Sequence, residues 1–313
     1  LSAQGLQLSG RHAEAGPFSL GGSASYQPGD DGLEVALAGN YGGGVVWARG
    51  QLPQGVQVQA ANVSLAAFAS QGFDPGRLNG AAVLTGPLRA ARLQGTFWTA
   101  GGDADMRLTA SGPLADPQVT GQAVLHGLQQ AGGTLDFTAH HFDPARRTFQ
   151  VAVRGTLTQG EARLGLNVAG AWPLLGGEVN LSHPALAEPL TLRGQGGTFT
   201  LHSADPASQA AQGRVALQEG AGGLPVLQAS ADLDPSLIAG LEASGGRLHL
   251  EAAGELTALQ VSGGLQAEQL SAAGATFADL GATFSGAAAD GLEGLRGTLT
   301  QGGACLLYTS PSP

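Results

Sequence analysis

Leu108-Thr-Ala-Ser-Gly112-Pro-Leu114-Ala-Asp-Pro-Gln118-Val119-Thr-Gly121 returns later in the chain as Leu250-Glu-Ala-Ala-Gly254-Glu-Leu256-Thr-Ala-Leu-Gln260-Val261-Ser-Gly263, without a gap and at a constant step of 142 residues. A shorter echo, Gly86-Pro87-Leu88 followed by Leu93 and Gly95, stands 26 residues before Gly112. The shared phrase is Gly, Pro or Glu, Leu, four residues, Leu or Val, one residue, Gly. It reads as a strand end, a turn that glycine permits, an apolar anchor (Leu88, Leu114, Leu256) and a second strand. The glycine of that second strand (Gly95, Gly121, Gly263) allows close packing. Recurrence of one such unit marks a repetitive architecture.

Outward from these copies, the dominant pattern is period-two alternation, the mark of strands with one buried face. Phe149, Val151 and Val153 alternate with Gln150, Ala152 and Arg154, and Leu164, Leu166 and Val168 with Arg163, Gly165 and Asn167. The period returns at Val179/Leu181, Leu190/Leu192, Phe199/Leu201, Val215/Leu217 and Leu248/Leu250. Earlier it appears at Leu33/Val35/Leu37, Val56/Val58, Met106/Leu108 and Leu135/Phe137. Gln159-Gly160, Gly176-Gly177, Gly196-Gly197 and Gly245-Gly246 read as turns between the runs. Strands recurring about every 9 to 16 residues fit short hairpins, whereas parallel pairing needs longer crossovers. An antiparallel meander of about twenty strands is therefore expected. Helical pattern is confined to three short stretches, Ala60–Ser70, Pro206–Gln212 and Pro235–Ala243.

Composition narrows the function. The 313 residues include 52 Gly and 14 basic residues, all Arg, and the formal charge is −10. An acidic chain without a basic face argues against nucleic acid. No run of about 18 apolar residues exists, so no membrane-spanning helix is expected within the segment. The chain begins at Leu1 with a run that is already strand-like, and is read as an internal piece of a longer protein. At the other end, Cys305 through Pro313 breaks the composition and resembles a translated sequencing adapter, so residues 305–313 are taken as non-native and 1–304 as one continuous repetitive sheet. Without that tail no Cys remains, and with it go disulfides, thiol chemistry and Cys-based metal sites.

At Gly112–Gly121, Pro117 included, the sequence resembles the TamB/AsmA-like family of envelope proteins. Two further phrases carry the likeness. Val63–Phe68 runs through Leu78–Gly86, like the family's short helix followed by a strand, and Leu233–Ile238 running through Gly246–Leu250 repeats the arrangement before Gly254. Phe277–Leu280 leading to Leu292–Gly297 is similar to the strand pair that follows. These place subrepeats near 78–129 and 233–286. Residues 140–230 lack a clear copy, and the family's C-terminal region is not recognisable. The resemblance implies a curled, taco-like antiparallel β-groove, apolar inside and polar outside. It also implies an inner-membrane anchor outside this segment, a periplasmic location, and traffic of phospholipid or assistance to outer-membrane protein assembly with a TamA-like barrel partner.

Physical chemistry reaches a similar expectation by its own route. A monomer seldom exposes contiguous apolar area beyond a few hundred Å², so a one-sided sheet must be covered by a second sheet, by helices or by a guest. Helices are too few. A thin lining of Val, Leu, Phe, Ala and Gly leaves room for acyl chains, each sheltered methylene contributing about 0.8 kcal/mol. A structural or adhesive β-solenoid is the other reading, one that needs parallel rungs. No catalytic constellation, cofactor motif or phosphate loop is found. His140-His141 would need Asp136 or Asp143 to hold a metal, and reads more simply as a polar strand end with His141 entering the turn at Asp143-Pro144. Arg146-Arg147 reads as a polar edge, and Asp30-Asp31-Gly32 and Asp290-Gly291 as turns. Trp47, Trp98 and Trp172 are expected to pack.

Overall fold

The computed structural model describes residues 2–12, 16–27, 32–65, 74–128, 131–143, 148–203, 208–219, 225–255, 258–272, 275–288, 296–301 and 304–308. These are all-β, with no α-helix among them; the only helical features are single 3₁₀ turns such as Leu88–Ala90 and Pro235–Leu237. The chain divides into two compact units, Leu1–Gly155 and Thr156–Pro313. The repeat near 78–129 lies in the first and that near 233–286 in the second.

In the first unit, ten strands follow one another as an antiparallel meander: β1 (Ser2–His12), β2 (Gly16–Gln27), β3 (Gly32–Tyr41), β4 (Gly44–Leu52), β5 (Gly55–Ser64), β6 (Arg77–Thr85), β7 (Arg92–Ala100), β8 (Ala104–Pro113), β9 (Gln118–Leu128) and β10 (Ala131–Asp143). Strand β11 spans Thr148–Gln159. The second unit holds β12 (Ala162–Ala171), β13 (Leu174–Ser182), β14 (Leu190–Gln195), β15 (Thr198–Ser203), β16 (Ala211–Glu219), β17 (Pro225–Leu233), β18 (Leu241–Ser244), β19 (Arg247–Glu255), β20 (Gln260–Ala272), β21 (Ala275–Ala287), β22 (Arg296–Gln301) and β23 (Ala304–Tyr308). Here the meander has one exception. β17 pairs with β19, while the short β18 pairs with the far half of β20, beyond the end of β19. Among the described residues β1 pairs only with β2, and β23 only with β22, so the sheet does not close into a barrel.

The three copies of the repeat phrase build one hairpin in one register. Ala82 faces Gly95, Leu108 faces Gly121 and Leu250 faces Gly263. The amides of Ala90, Asp116 and Ala258 donate to the carbonyls of Pro87, Pro113 and Glu255 at 2.9, 3.1 and 2.9 Å. Gly86, Gly112 and Gly254 take φ of +85°, +110° and +132°, a region that disfavours side chains. The apolar anchor differs between copies. Leu88, in its 3₁₀ turn, packs on Val35, Leu52, Val56 and Ala91, whereas Leu114 is 46% exposed. The turn at Leu114 does not wind into a 3₁₀ segment, and its amide is tied to Ala91 O at 2.8 Å, so the side chain is left outside. Leu256 lies outside the described residues.

The helical expectations are corrected. Ala60–Ser64 continues β5, and 66–70 lie outside the described residues. Pro235–Ala243 becomes one 3₁₀ turn, with Asp234 Oδ1 accepting from the Ser236 amide at 2.9 Å, followed by β18. Residues 211 and 212 of Pro206–Gln212 open β16; 206 and 207 are not described. In each case hydrogen bonding to a neighbouring strand outweighs a weak local helical preference, since isolated helices this short are marginal. Gly176-Gly177 is likewise a strand interior and not a turn: both residues lie in β13, opposite Ala169 and Val168, and the chain reverses at Trp172-Pro173. Gly196-Gly197 does form a turn, with φ of +57° and +79°, the two positive values a tight hairpin favours. Gly197 donates to Leu175 O at 2.7 Å and accepts from Leu217 N at 2.6 Å. It thereby draws β13 and β16 together around the two short strands between them.

Candidate functional site

Directly opposed residues in an antiparallel sheet share a face, so the registers trace each face strand by strand. In the first unit one row runs Leu8, Leu20, Gly39, Val46, Ala60, Gly80, Phe97, Leu108, Gly121, Phe137 across β1 to β10. The next row on that face passes through Met106, Ala123 and Leu135. In the second unit Leu166, Val179, Leu192, Leu201, Gly213, Ala231, Leu250, Gly263, Phe284 and Gly297 follow one another across ten strands. Leu164, Leu181 and Leu190 align on one side of that row, with Leu248 further along. Val168 and Gly177 lie on the other side, as do Gly194, Phe199 and Val215. No charged residue enters any of these rows.

The alternating residues are mostly half-buried. Leu190 and Phe199 are buried; Met106, Leu108, Leu135, Phe137, Phe149, Val151, Val153, Leu164, Leu166, Val168, Val179, Leu181, Leu192, Leu201, Val215, Leu217, Leu248 and Leu250 are intermediate. Complete burial is confined to patches. One gathers Leu190, Ala211, Leu233 and Leu237 with Leu186, where the 183–189 loop meets the Pro235 turn through Ala187 N–H to Leu237 O at 2.7 Å. Within each unit the strands in close backbone contact are neighbours in the sheet or lie a few strands apart in it. Two compact halves of this mass, fully separated, would expose about 14500 Å². The chain exposes 18243 Å², more than that.

Large side chains on this face stand across from glycine. A Cβ added to Gly121 would lie 2.8 Å from Phe137 Cζ and 2.6 Å from Arg107 O. One added to Gly263 would run into Phe284 Cζ and lie 2.6 Å from His249 O. The tip of each Phe ring thus reaches over the glycine of the neighbouring strand. This cross-strand complement escapes single-strand reading, because it depends on register.

The other face is polar throughout the second unit. Asn180, Thr191, His202, Gln212, Asp232, His249, Gly264, Thr283 and Thr298 form one row, with Glu178, Arg193, Thr200, Arg214, Ser230, Glu251, Ser262, Ser285 and Arg296 beside it. Arg193 Nε donates to Glu178 at 2.9 Å and Asn180 Nδ2 at 2.8 Å; these hydrogen bonds, Asn180's foremost, hold the Glu178 carboxyl below its usual range. Asp232 takes Arg247 at 3.0 Å and His249 Nδ1 at 2.9 Å, while Glu251 meets His249 Nε2 at 3.3 Å. The two carboxylates, Asp232 first, raise the His249 pKa.

The histidine pair does not converge on Asp136 or Asp143. His141 sits within β10 at φ +56°, and both its amide and its Nδ1 bind Asp116, each at 2.7 Å; the amide bond lowers the Asp116 pKa foremost. Asp136 instead accepts from Gln122 at 3.0 Å. Among the described residues no group of three or more His, Cys, Asp or Glu could hold a metal ion. Trp47 and Trp172 are half-buried, but Trp98 is 49% exposed: it is one residue on from Phe97 and so projects from the polar face. Arg146-Arg147, Asp30-Asp31 and Asp290-Gly291 fall outside the described residues. No helix among the described residues is long and apolar enough to cross a membrane. In comparisons with known proteins, no family model, no curated protein and no solved structure matches the chain.

Proposed function

We propose that this chain is a segment of an envelope-biogenesis protein whose apolar sheet face shelters phospholipid acyl chains on their way between the inner and outer membranes, or assists outer-membrane protein assembly beside a TamA-like barrel, or both. The observation that carries this reading is the pair of ten-strand rows without a charge. Acyl chains are an apt cover: they fill a thin, irregular lining, and about 0.8 kcal/mol per methylene offsets the exposure of the face to water. Polar headgroups remain in solvent. Periplasmic placement and an inner-membrane anchor outside the segment belong to the same proposal. The solenoid alternative requires parallel rungs and loses its support to the antiparallel registers.

The test is co-purified lipid. Mass spectrometry of the purified chain should detect phospholipid at a stoichiometric level. Leu192→Arg with Leu201→Arg, which sets two charges in the apolar row, should strip most of it, while Thr191→Arg with Thr200→Arg on the opposite face should leave it. Lipid-free parent protein would end the proposal.

A further inference from the structure

We infer that the polar face of the first unit carries a binding cleft for a flat, β-linked oligosaccharide, centred on Trp98. Asn79, Trp98, Arg107, Gln122 and Asp136 stand directly opposite one another on β6 to β10. At about 4.8 Å per strand this row spans about 19 Å. Thr96, Thr109 and Thr120 form an exposed hydroxyl row two residues along the same strands. Trp98, Arg107, Gln122, Asp136 and the three threonines border an open cleft of about 890 Å³. Trp98 is 49% exposed, and an indole joins an apolar surface to a polar N–H. Among the described residues neither that N–H nor the Arg107 guanidinium has a hydrogen-bond partner. Gln122 donates to one oxygen of Asp136, leaving the other to accept.

The second repeat supplies a comparison within the same protein. Its equivalent cleft, about 710 Å³, places Asp232 opposite His249 where the first has Trp98 opposite Arg107. There Arg247, His249 and Glu251 are spent on internal ion pairs, and the corresponding position offers no ring to stack on. The first cleft alone joins an exposed indole to unspent polar groups. The chemistry matches a pyranose, which lays its C–H face on an aromatic ring and turns hydroxyls toward mixed donors and acceptors. A phosphate headgroup fits poorly: Arg107 is the single cation of the row, and Asp136 and Asp105 are close by. A straight row across a sheet suits an extended β-linked chain better than a helical α-linked one.

The site lies on the face opposite the apolar rows, so its failure and that of lipid sheltering are separable. Isothermal titration calorimetry of the purified chain with cellotetraose and with chitotetraose should give saturable binding to at least one. Trp98→Ala should weaken it by about tenfold, the loss of one stacking contact. Trp98→Phe should retain most of the affinity, and Arg107→Met should weaken it in a second, independent variant. Far-UV circular dichroism of each variant should match the parent. Saturable binding to neither sugar, or unaltered binding by Trp98→Ala and Arg107→Met, overturns the assignment. So does Trp98-dependent binding confined to maltotetraose or to phosphatidylglycerol vesicles.

Discussion

His249 shows how a single residue on this sheet is governed by the strands beside it. Its two ring nitrogens meet Asp232 from β17 and Glu251 two residues along its own strand. Both carboxylates favour the imidazolium, so the folded pKa rises above the ordinary value. A raised pKa gives a contribution to stability that is complete below the unfolded value and disappears as pH climbs through the folded one. The group is solvent-exposed, so its effect is on titration more than on folding. By NMR, the His249 ring protons should titrate at a higher pH than in Asp232→Asn; equal midpoints in the two proteins would exclude the ion pair as cause. Nothing in the sequence around His249 announces this, since Asp232 is 17 residues away and the partnership exists only through the β17–β19 register.

At the scale of strands and hairpins, alternation was legible and register was not. Leu164-Gly-Leu-Asn-Val168 states its two faces without help from any neighbour, and its strand is where the pattern predicts. The hairpin phrase at Gly112 and Gly254 was equally legible, because one glycine conformation and one turn hydrogen bond recur at the same spacing. Ala60–Ser64 misled because Ala-rich sequence is compatible with either state, and pairing with β4 and β6 decides it. Gly176-Gly177 misled for a related reason: paired glycines mark close backbone approach as readily as a turn. The apolar face was legible residue by residue, yet the glycine seats beneath Phe137 and Phe284 required knowing which strand lies opposite. Those seats make a prediction at this scale. Gly263→Ala sets a Cβ 2.6 Å from His249 O as well as against the Phe284 ring, and should destabilise the second unit by about 1–3 kcal/mol. Gly264→Ala meets nothing closer than Ala282 O at 3.5 Å and should stay within about 0.5 kcal/mol of the parent. Urea unfolding of the two variants checks this; equal midpoints would refute the seat.

For the molecule as a whole, the governing fact is that the sheet of each unit has two unlike faces. Burial is concentrated at patches such as Leu190, Leu233 and Leu237, and a surface of 18243 Å² is more than even two separate compact halves would show. Such a sheet is held by its ladders and by cross-strand contacts rather than by a central core. Its apolar face needs a cover, and its edges, where Leu6 and Leu8 are 41% and 61% exposed on β1, need protection from self-association. In the proposed function, acyl chains on the apolar face meet the first need. The most direct measurement places a photo-reactive amino acid, one site at a time, at Leu192, Leu201 and Leu250 on the apolar row and at Thr191, Thr200 and Glu251 beside them on the polar face, in cells making the protein. Phospholipid adducts at the first three positions and none at the second three are the predicted result; adducts at neither set, or equally at both, would contradict it.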